Sequence, residues 1–433
     1  MRRSHNEHDR RGKRRQPSAL REHASLRRIA RPVVTVIIGL AILFVAAFVP
    51  LSLAYSPTYM IRLMLWQEAD VQDYTRFPAR EIAAAQEPFT FAHIADPVGA
   101  ADRVRQAMAA SPNVGRDPDT FLAEAQTQAF VVVQEDRILY ERYFNGFERG
   151  SVATSFSIAK SYVSALVGIA IREGSIRSAD EPITTYLPEL LQRDKRFGAI
   201  TVQDLLDMTS GIHYDDSGFI AGDDSQTYYF DDLRALALER TRVDQPPDQR
   251  WQYNNYNPLL LGLILERTTG MPVAEYLELK LWTRIGTEFR ASWSLDSDDG
   301  FEKMESGINA RPIDFAKLGR LYLNQGSWNG AQVVPADWAK RSVQAGDKRS
   351  AGYYPSSLQK PYGTISHEMF WWRIARPNGE VAFSAFGNHG QYIFVAPSER
   401  LIIVRFGMEY GIPAFDWFEV FSTIADGLRN LEN

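Results

Sequence analysis

A serine and a lysine three residues apart, Ser157 and Lys160, are the pair of side chains in this sequence best spaced for chemistry. On a helix, residues at this spacing lie on one face, about one turn apart. A desolvated lysine there can take the proton of the serine hydroxyl and make the serine a nucleophile. The pattern alone is weak, because Ser357 and Lys360 also match it. A serine before a helix is also typical of an N-cap, so the surroundings must decide.

A lysine base needs neighbours, because an isolated lysine is protonated at neutral pH. Tyr253 and Asn255 offer a phenol that can share the proton and an amide that can orient a substrate. The same spacing of tyrosine and asparagine occurs at 143–145, in a predicted strand, and at 322–324, in a predicted helix. Only Tyr253 lies in a loop just before a helix. The alternatives are a packed aromatic residue for Tyr253 and a turn residue for Asn255.

The predicted secondary structure places Ser157 where a sheet meets a helical region. Hydrophobic periodicity predicts a hairpin at 129–134 and 137–144, a buried helix over 156–171, a mostly helical middle from about 176 to 345, strands at 391–396 and 401–406, and a last helix over 414–431. This order predicts an α+β fold, with one antiparallel sheet built from both ends of the domain and a helical insertion. Junctions of this kind favour clefts.

The second serine–lysine match has no such setting. Ser357 stands among Gly352, Pro355 and Pro361, and no helix is predicted to place Lys360 beside it. We therefore favour Ser157 as the nucleophile.

Four longer segments, in this order along the chain, carry a specific resemblance. They read DEPITTYLPEL (180–190), ITVQDLLDMTSGI (200–212), LLLGLILERTTG (259–270) and ARPIDFAKLGRLYLNQG (310–326). With the motifs around Ser157 and Tyr253, they resemble the serine β-lactamase and penicillin-binding-protein superfamily. Within it, the chain is similar to class C-like esterases and 6-aminohexanoate-oligomer hydrolases. The resemblance covers most of residues 89–431 and implies a β-lactamase-like fold.

The resemblance implies a role for each matching position. Ser157 would be acylated, Lys160 would accept its proton, Tyr253 would relay a proton to the leaving group, and Asn255 would help hold Lys160 and the substrate amide. The third family motif lies on the strand that lines the cleft.

The candidate for that third motif is Asn388-His389-Gly390, in which Gly390 would let backbone approach the substrate. The resemblance implies that the amides of Ser157 and Gln391 form the oxyanion hole. His389 could instead be a core histidine with satisfied hydrogen bonds. Asn388 stands where many relatives have lysine, so esters or amides are expected as substrates rather than β-lactams.

The N-terminal region predicts a membrane anchor. Residues 1–32 hold eleven Arg and Lys and three Asp and Glu, and the next 22 residues, 33–54, have no charged side chain. An apolar helix of that length spans roughly 33 Å, enough to cross a bilayer. The expected organisation is a basic cytoplasmic tail (1–32), a transmembrane signal-anchor (33–54), a juxtamembrane connector (55–88) and an extracytoplasmic hydrolase domain (89–433). The alternative is a signal peptide cleaved after Ala54.

Composition and missing motifs exclude several other classes of function. The chain has no cysteine, which excludes disulfides, zinc–thiolate sites and a cysteine nucleophile. Its acidic pairs within 215–232 indicate a solvated loop rather than a metal site, because no histidine completes a ligand set. No nucleotide-binding or metalloprotease motif is present. We expect neither a metal nor an organic cofactor, and no nucleic acid partner.

Together these features predict a membrane-anchored extracytoplasmic serine hydrolase that cleaves a small ester, amide or peptide-like substrate through an acyl-enzyme. The expected location is a bacterial inner or plasma membrane, with residues 33–54 in the lipid bilayer. Two alternatives stay open. One is a penicillin-binding-type carboxypeptidase or β-lactamase, and the other is a non-hydrolytic membrane-tethered sensor on the same scaffold.

Overall fold

The computed structural model describes residues 19–115, 117–217, 220–344 and 359–430. The chain divides into one unit that ends at Met60 and a larger compact unit from Ile61 onward. Among the described residues the helices are α1 (Ala19–Ala54), α2 (Pro57–Trp66), α3 (Pro97–Ala109), α4 (Pro118–Glu124), α5 (Ile158–Arg172), α6 (Pro188–Arg193), α7 (Val202–Leu206), α8 (Asp223–Tyr229), α9 (Leu233–Ala235), α10 (Tyr256–Thr269), α11 (Val273–Leu277), α12 (Pro312–Leu323), α13 (Ala336–Val343) and α14 (Asp416–Asn430).

The strands are short at the start of the chain and longer near its end. They are β1 (Ala79–Ile82), β2 (Ala92–His93), β3 (Thr127–Gln134), β4 (Arg137–Tyr143), β5 (Ala153–Thr154), β6 (Ala291–Ser294), β7 (Ile308–Ala310), β8 (Ser327–Trp328), β9 (Ala331–Gln332), β10 (Gln359–Lys360), β11 (Gly363–Glu368), β12 (Trp371–Ala375), β13 (Val381–Gly387), β14 (Gln391–Ala396) and β15 (Leu401–Gly407). The predicted hairpin and the two predicted C-terminal strands are therefore confirmed.

The first unit contains a long apolar helix. Within α1, the stretch Thr35–Ala54 has 20 residues and a mean hydropathy of 2.8, which is long and apolar enough to cross a membrane. A signal sequence near an N-terminus has the same properties. Residues 1–18 of the predicted basic tail lie outside the described residues, and so does the alternative serine, Ser357.

A nine-stranded sheet in the order β10-β11-β12-β13-β14-β15-β3-β4-β2 forms the centre of the second unit. Strands from both ends of the domain build it, because β15 pairs with β3. The pairing is antiparallel except between β2 and β4, which run parallel. Its strands β10 to β12 add an extension that the sequence pattern did not predict.

The two faces of this sheet bury different sets of side chains. Along β14, Tyr392 and Phe394 point toward α14, where they meet Phe421. The alternate residues Ile393 and Val395 meet α12 at Gly319, where a Cβ would lie 3.0 Å from Ile393. This period of two is typical of a strand that is covered on both faces. The helix α5 packs beside β13 and β14 and against α10.

A second, four-stranded sheet in the order β1-β6-β7-β5 interrupts the region predicted as mostly helical. Its strands have two to four residues, too few to show alternation in the sequence. Its edge strand β1 comes from the segment predicted as a connector and pairs Ile82 with Ala291. Residues from Ile61 onward thus belong to the same compact unit as the rest of the domain. The sheet ends at β5, immediately before Ser157.

Candidate active site

A strained turn between β5 and α5 presents Ser157. Phe156, the residue before it, has φ +43°, a conformation that costs a non-glycine residue free energy. Ser155 fixes the turn, because its N–H donates to the carbonyl of Ile308 and its Oγ accepts from the N–H of the same residue at 3.1 Å. The chain then enters α5 with Ser157 at the helix N-terminus. There the positive end of the helix dipole favours developing negative charge.

Lys160 lies one turn into α5 and is almost completely buried, with 2% of its surface exposed. Its Nζ donates to Ser157 Oγ and to the carbonyl of Glu305, each at 2.8 Å. Burial lowers the pKa of Lys160 to about 7, although the charges of Glu305 and Asp224 oppose this shift. A large fraction of Lys160 is therefore unprotonated near neutral pH and can accept the serine proton.

Tyr253 completes the arrangement from the loop before α10. Its ring centroid is 4.9 Å from Lys160 Nζ, and its hydroxyl makes a hydrogen bond with Ser157. Burial raises the pKa of Tyr253 well above its usual value, so the phenol keeps its proton and can donate it. Behind the ring lies His367, 5.9 Å away between centroids. Burial lowers the pKa of His367 to about 3, so this imidazole is neutral and adds no charge beside Lys160.

The structure places Asn255 differently from the role that the resemblance implied. Its Nδ2 donates to the Tyr214 hydroxyl at 2.8 Å and to Asp224 Oδ1 at 3.1 Å. The Asn255 side-chain amide donates to Asp224 rather than contacting Lys160, and Lys160 is held instead by the Glu305 carbonyl. The Asn255 Oδ1 is buried, has no hydrogen-bond partner and belongs to a residue that lines the cleft. The second half of the expected role, binding a substrate N–H, therefore remains a prediction.

Asn388, His389 and Gly390 form a turn between β13 and β14 rather than part of a strand. His389 has φ +57°, which ends the strand pairing there. Its ring lies 5.2 Å from the ring of Phe156, and its Nε2 is 2.8 Å from the carbonyl of Ala69. Asn388 Oδ1 accepts from the Tyr410 hydroxyl at 2.8 Å. The sequence motif thus lies in the cleft, but in a turn.

The glycine that approaches the nucleophile is Gly387 and not Gly390. A Cβ on Gly387 would lie 2.4 Å from the carbonyl oxygen of Ser155 and 3.1 Å from the backbone nitrogen of Ser157. A Cβ on Gly390 would meet the guanidinium of Arg405 instead. Gly387 is the extended last residue of β13, whereas Gly390 lies in the turn with φ +82°, so the backbone path decides which one faces Ser157. The residue that follows this close approach is Asn388.

Gln391, the residue expected to contribute an oxyanion amide, is turned toward the neighbouring strand. Its side chain is buried, donates to the carbonyl of Gly407 at 2.8 Å and accepts from the Gly407 N–H at 3.0 Å. Ser157 and Asn388 both line the cleft, whereas Gln391 is not among the residues that line it. These side-chain contacts do not bear on the backbone N–H of Gln391, whose expected role in the oxyanion hole stays a prediction, and the backbone N–H of Asn388, next to Gly387, is a second candidate.

The cleft at Ser157 has a volume of about 450 Å³ and a markedly acidic lining. Four carboxylate residues contribute to it, and the described lining includes neither lysine nor arginine; the acids are Glu68, Asp224, Glu305 and Glu409. Glu305 is buried, and its Oε2 has no hydrogen-bond partner. Desolvation in the cleft raises the pKa of Asp224, while its bond from Tyr214 and the charge of Lys160 oppose the shift.

Two of these acids were missed or misinterpreted in the sequence. Asp224 was expected in a solvated loop, but it lies in the first turn of the helix α8 and lines the cleft. Glu305 carried no signal, because its contact with Lys160 joins residues 145 positions apart. Among the described residues, no group of three or more histidine and acidic side chains is placed to hold a metal ion.

A family model described as Beta-lactamase matches residues 119–407, more than half of the sequence. The chain belongs to the beta-lactamase family. The 6-aminohexanoate-dimer hydrolase of Paenarthrobacter ureafaciens is 29% identical over 304 residues, which cover 67% of this chain and 74% of that protein. These hydrolase relatives identify the chain as a serine hydrolase of the family.

Solved structures show the same fold at lower identity. A Bacillus anthracis protein provisionally named a 6-aminohexanoate-dimer hydrolase superposes with a TM-score of 0.69 at 24% identity, over 83% of this chain and 94% of that one. EstCE1, a hydrolase with promiscuous acyltransferase activity, gives 0.55 at 15% identity, over 77% and 99%. The β-lactamase-like fold that the sequence motifs predicted is confirmed.

Proposed function

We propose that this beta-lactamase-family protein hydrolyses esters or amides that carry a positively charged group, through an acyl-enzyme on Ser157. One observation carries the proposal. Lys160 Nζ lies 2.8 Å from Ser157 Oγ in a buried setting that lowers the pKa of Lys160 to about 7. A base with a pKa near the working pH is best suited to activate a hydroxyl nucleophile.

In the acylation step, the unprotonated amine of Lys160 takes the proton of Ser157 as Oγ forms a bond to the carbonyl carbon of the substrate. Negative charge then develops on the carbonyl oxygen. We assign its stabilisation to the backbone N–H groups of Ser157 and Asn388, at the close approach of Gly387. Tyr253, whose phenol stays protonated, donates a proton to the leaving alcohol or amine as the carbon–heteroatom bond breaks.

In the deacylation step, water attacks the acyl-enzyme from the open side of the cleft. Before this step, the proton that Lys160 took from Ser157 passes to the Tyr253 phenolate, which restores the neutral amine and the phenol. Lys160 then accepts a proton from the attacking water and passes it to Ser157 Oγ as the acyl C–O bond breaks. The acid product is released and the Ser157 hydroxyl is restored, so neither a metal ion nor an organic cofactor is needed for the balance of the reaction.

The acidic lining supports a cationic substrate. Glu68, Asp224 and Glu409 line the same cleft as Ser157, whereas the carboxylate of Glu305 is paired with Lys303, and no lysine or arginine is found among the described lining residues. An ammonium group would find partners here, whereas a substrate carboxylate would meet repulsion. This lining argues against penicillins, which carry a carboxylate. One relative is named as a hydrolase of a 6-aminohexanoate dimer, a compound with a free amine at one end and a free carboxylate at the other, so only its amine end suits this lining.

The location of the enzyme is part of the proposal. The apolar stretch Thr35–Ala54 supports an N-terminal membrane anchor that leaves the catalytic unit outside the cytoplasm. Treatment of isolated membranes with sodium carbonate, followed by detection of the full-length chain in the pellet, tests this. Release of a shortened chain that begins after Ala54 would show a cleaved signal peptide instead.

Intact-mass analysis after treatment with a fluorophosphonate tests the catalytic proposal. One adduct is expected on the wild-type chain and on Ser178→Ala, a serine outside the cleft, and none on Ser157→Ala. Adduct formation in Ser157→Ala would overturn the assignment of the nucleophile. An ester substrate that acylates Ser157 without turnover would support the sensor alternative. The substrate class is tested with a 6-aminohexanoyl amide and its N-acetylated form, of which the free amine should be hydrolysed faster.

A further inference from the structure

One wall of the cleft comes from a segment that lies outside the family match. Residues Ile61–Phe77, which we call the strap, precede the matched region by more than forty positions. Three of its residues line the cleft together with Ser157; they are Gln67, Glu68 and Ala69. The side chains of Gln67 and Glu68 are exposed to the cleft mouth, and Gln67 has φ +62° where the strap turns. No role in the acylation chemistry falls to these residues.

A buried arginine fixes the start of the strap. The Arg62 guanidinium donates to the carbonyls of Tyr229 at 3.0 Å, Phe230 at 3.3 Å and Asp296 at 2.7 Å. All three acceptors are backbone oxygens of the catalytic unit. Loss of the Arg62 side chain would leave these buried carbonyls without hydrogen-bond partners, so its contacts stabilise the position of the strap.

A buried aspartate fixes the end of the strap to the cleft wall. Asp73 accepts from the Tyr228 hydroxyl at 3.2 Å and from Arg76 at 2.7 Å. Tyr228 itself lines the cleft, and its ring stacks on Phe156 beside the nucleophile. Phe77 adds an edge contact to the same ring, with centroids 5.7 Å apart. The end of the strap therefore contacts the wall opposite the turn that holds Asn388.

The tip of the strap contacts that turn directly. The carbonyl of Ala69 lies 2.8 Å from His389 Nε2, which donates in the tautomer protonated at this nitrogen. His389 follows Asn388, the residue assigned to the oxyanion hole. The strap thus bridges from Tyr228 on one side of the cleft to His389 on the other. A substrate group that extends from Ser157 toward the strap would meet Gln67 and Glu68, which line the same cleft.

We propose that the strap is the specificity-determining wall of this enzyme, and that it selects esters and amides by the length of the group that projects past Gln67. This inference rests on the proposed acyl-enzyme function and deepens it. The reacting atoms touch Ser157, Lys160 and Tyr253, so short substrates do not depend on the strap. Long substrates contact it and are accepted or rejected by the space that it leaves.

The absence of cysteine in the sequence allows a direct test on the full-length chain. Gln67→Cys creates a single thiol at the cleft mouth, and Gln86→Cys creates a matched one at an exposed glutamine outside the cleft. Each is modified with methyl or benzyl methanethiosulfonate. Hydrolysis of ethyl acetate, ethyl octanoate and octyl acetate is then followed by titration of the released acid.

With the benzyl group at position 67, kcat/KM for at least one long ester should fall about tenfold, while that for ethyl acetate stays within about twofold. The methyl group, and both groups at position 86, should leave all three esters unchanged. The long ester that is affected identifies whether the acyl or the alcohol side faces the strap.

If benzylation at position 67 left kcat/KM unchanged for all three esters, the strap proposal alone would be overturned, provided that Ser157 still forms its fluorophosphonate adduct. Absence of that adduct in the unmodified chain would overturn the proposed function and the strap together. An equal loss of kcat/KM for all three esters would also contradict the strap proposal, because it would show damage to the reacting centre instead of selection by length.

Discussion

Two buried lysines lie on either side of Glu305, and their surroundings give them different properties. Among the described residues, the hydrogen bonds of Lys160 go to neutral oxygens, the Ser157 hydroxyl and the Glu305 carbonyl. Lys303 is equally buried, but its Nζ is 3.0 Å from the carboxylate of Glu305 and lies over the rings of Phe77 and Tyr228. Burial lowers the pKa of both lysines, and at Lys303 the ion pair with Glu305 opposes the shift directly.

Glu305 thus contacts both lysines at once, Lys160 through its backbone and Lys303 through its side chain. The Glu305 backbone orients Lys160, while the Glu305 side chain is committed to Lys303. If the carboxylate paired with Lys160 instead, it would favour the ammonium form and remove the base. The two lysines therefore differ in the partner that each receives, not in depth of burial. The following experiments address this difference, in order of expected effect on the rate.

Lys160→Met should lower kcat/KM for ester hydrolysis by about 10³, because removal of a general base costs roughly 10² to 10⁴. Lys280→Met, at a surface ion pair with Glu173, is the matched control and should stay near wild type. Urea unfolding distinguishes a chemical loss from misfolding. Burial of the ammonium disfavours the wild-type fold most below pH 7, and this cost vanishes as the pH rises to 10.5, the usual pKa of lysine. The variant should therefore be more stable below pH 7, and a less stable variant would contradict the assignment.

The wild-type enzyme should lose about fiftyfold in kcat/KM between pH 7 and pH 5, because protonated Lys160 cannot accept the Ser157 proton. The rate should rise through pH 7 and then level. Tyr253 keeps its proton across this range, so no loss at alkaline pH is expected from it below about pH 10. Initial rates on one neutral ester, corrected for hydroxide hydrolysis, give the profile. A flat profile from pH 5 to pH 8 would show that Lys160 is not the base.

Asp224→Asn should reduce kcat/KM for a 6-aminohexanoyl amide by about tenfold, and that for its N-acetylated form by less than about twofold. The carboxylate lines the cleft and would pair with the substrate ammonium. Asp180→Asn, an exposed aspartate outside the cleft, is the control. The difference should shrink at 1 M salt, because screening weakens exposed charge pairs. Equal losses with both amides would indicate that Asp224 positions Asn255 rather than binding a cation.

Glu305→Gln should have the smallest effect on the rate and the most direct bearing on the comparison. The backbone carbonyl that holds Lys160 stays, but the negative charge that raises the pKa of Lys160 is removed. The rising limb of the pH profile should move to lower pH, so that the rate at pH 6 increases by about threefold. An unmoved limb would show that Glu305 does not set the pKa of Lys160.

The same Glu305→Gln substitution breaks the ion pair with Lys303 and should cost about 3–5 kcal/mol of unfolding free energy. Lys303→Met combined with Glu305→Gln should recover most of this loss.

Local patterns, together with the ordered family resemblance, were sufficient to single out Ser157, Lys160 and Tyr253 as candidate catalytic residues. The spacing of Ser157 and Lys160 is a property of one helix, and Tyr253 lies next to the start of another. The three-dimensional arrangement adds that these side chains meet, with hydrogen bonds between them. Their roles in catalysis remain predictions until they are tested by substitution.

Contacts between distant segments could not be read from the sequence. Glu305 reaches Lys160 across 145 positions, and His389 reaches Ala69 across 320. No periodicity or motif marks such pairs. Gly387 was missed for a different reason: two glycines three residues apart have the same propensity, and the end of the β13 strand decides which one lies beside Ser157. The connector 55–88 was interpreted from its prolines and polar residues, which do not reveal that Arg62 and Asp73 are buried.

The left-handed backbone at Phe156 has a consequence for how the enzyme could change its substrate range. A glycine would adopt this φ without strain, so the backbone alone favours the loss of the side chain. The ring, however, separates Tyr228 from His389 and contacts both. Phe156→Gly should therefore relax the turn and let the two sides of the cleft approach or part, which a screen of branched esters would detect. The size of the side chain at position 156 would therefore set the width of the cleft entrance, and substitutions there could change that width without changing Ser157, Lys160 or Tyr253.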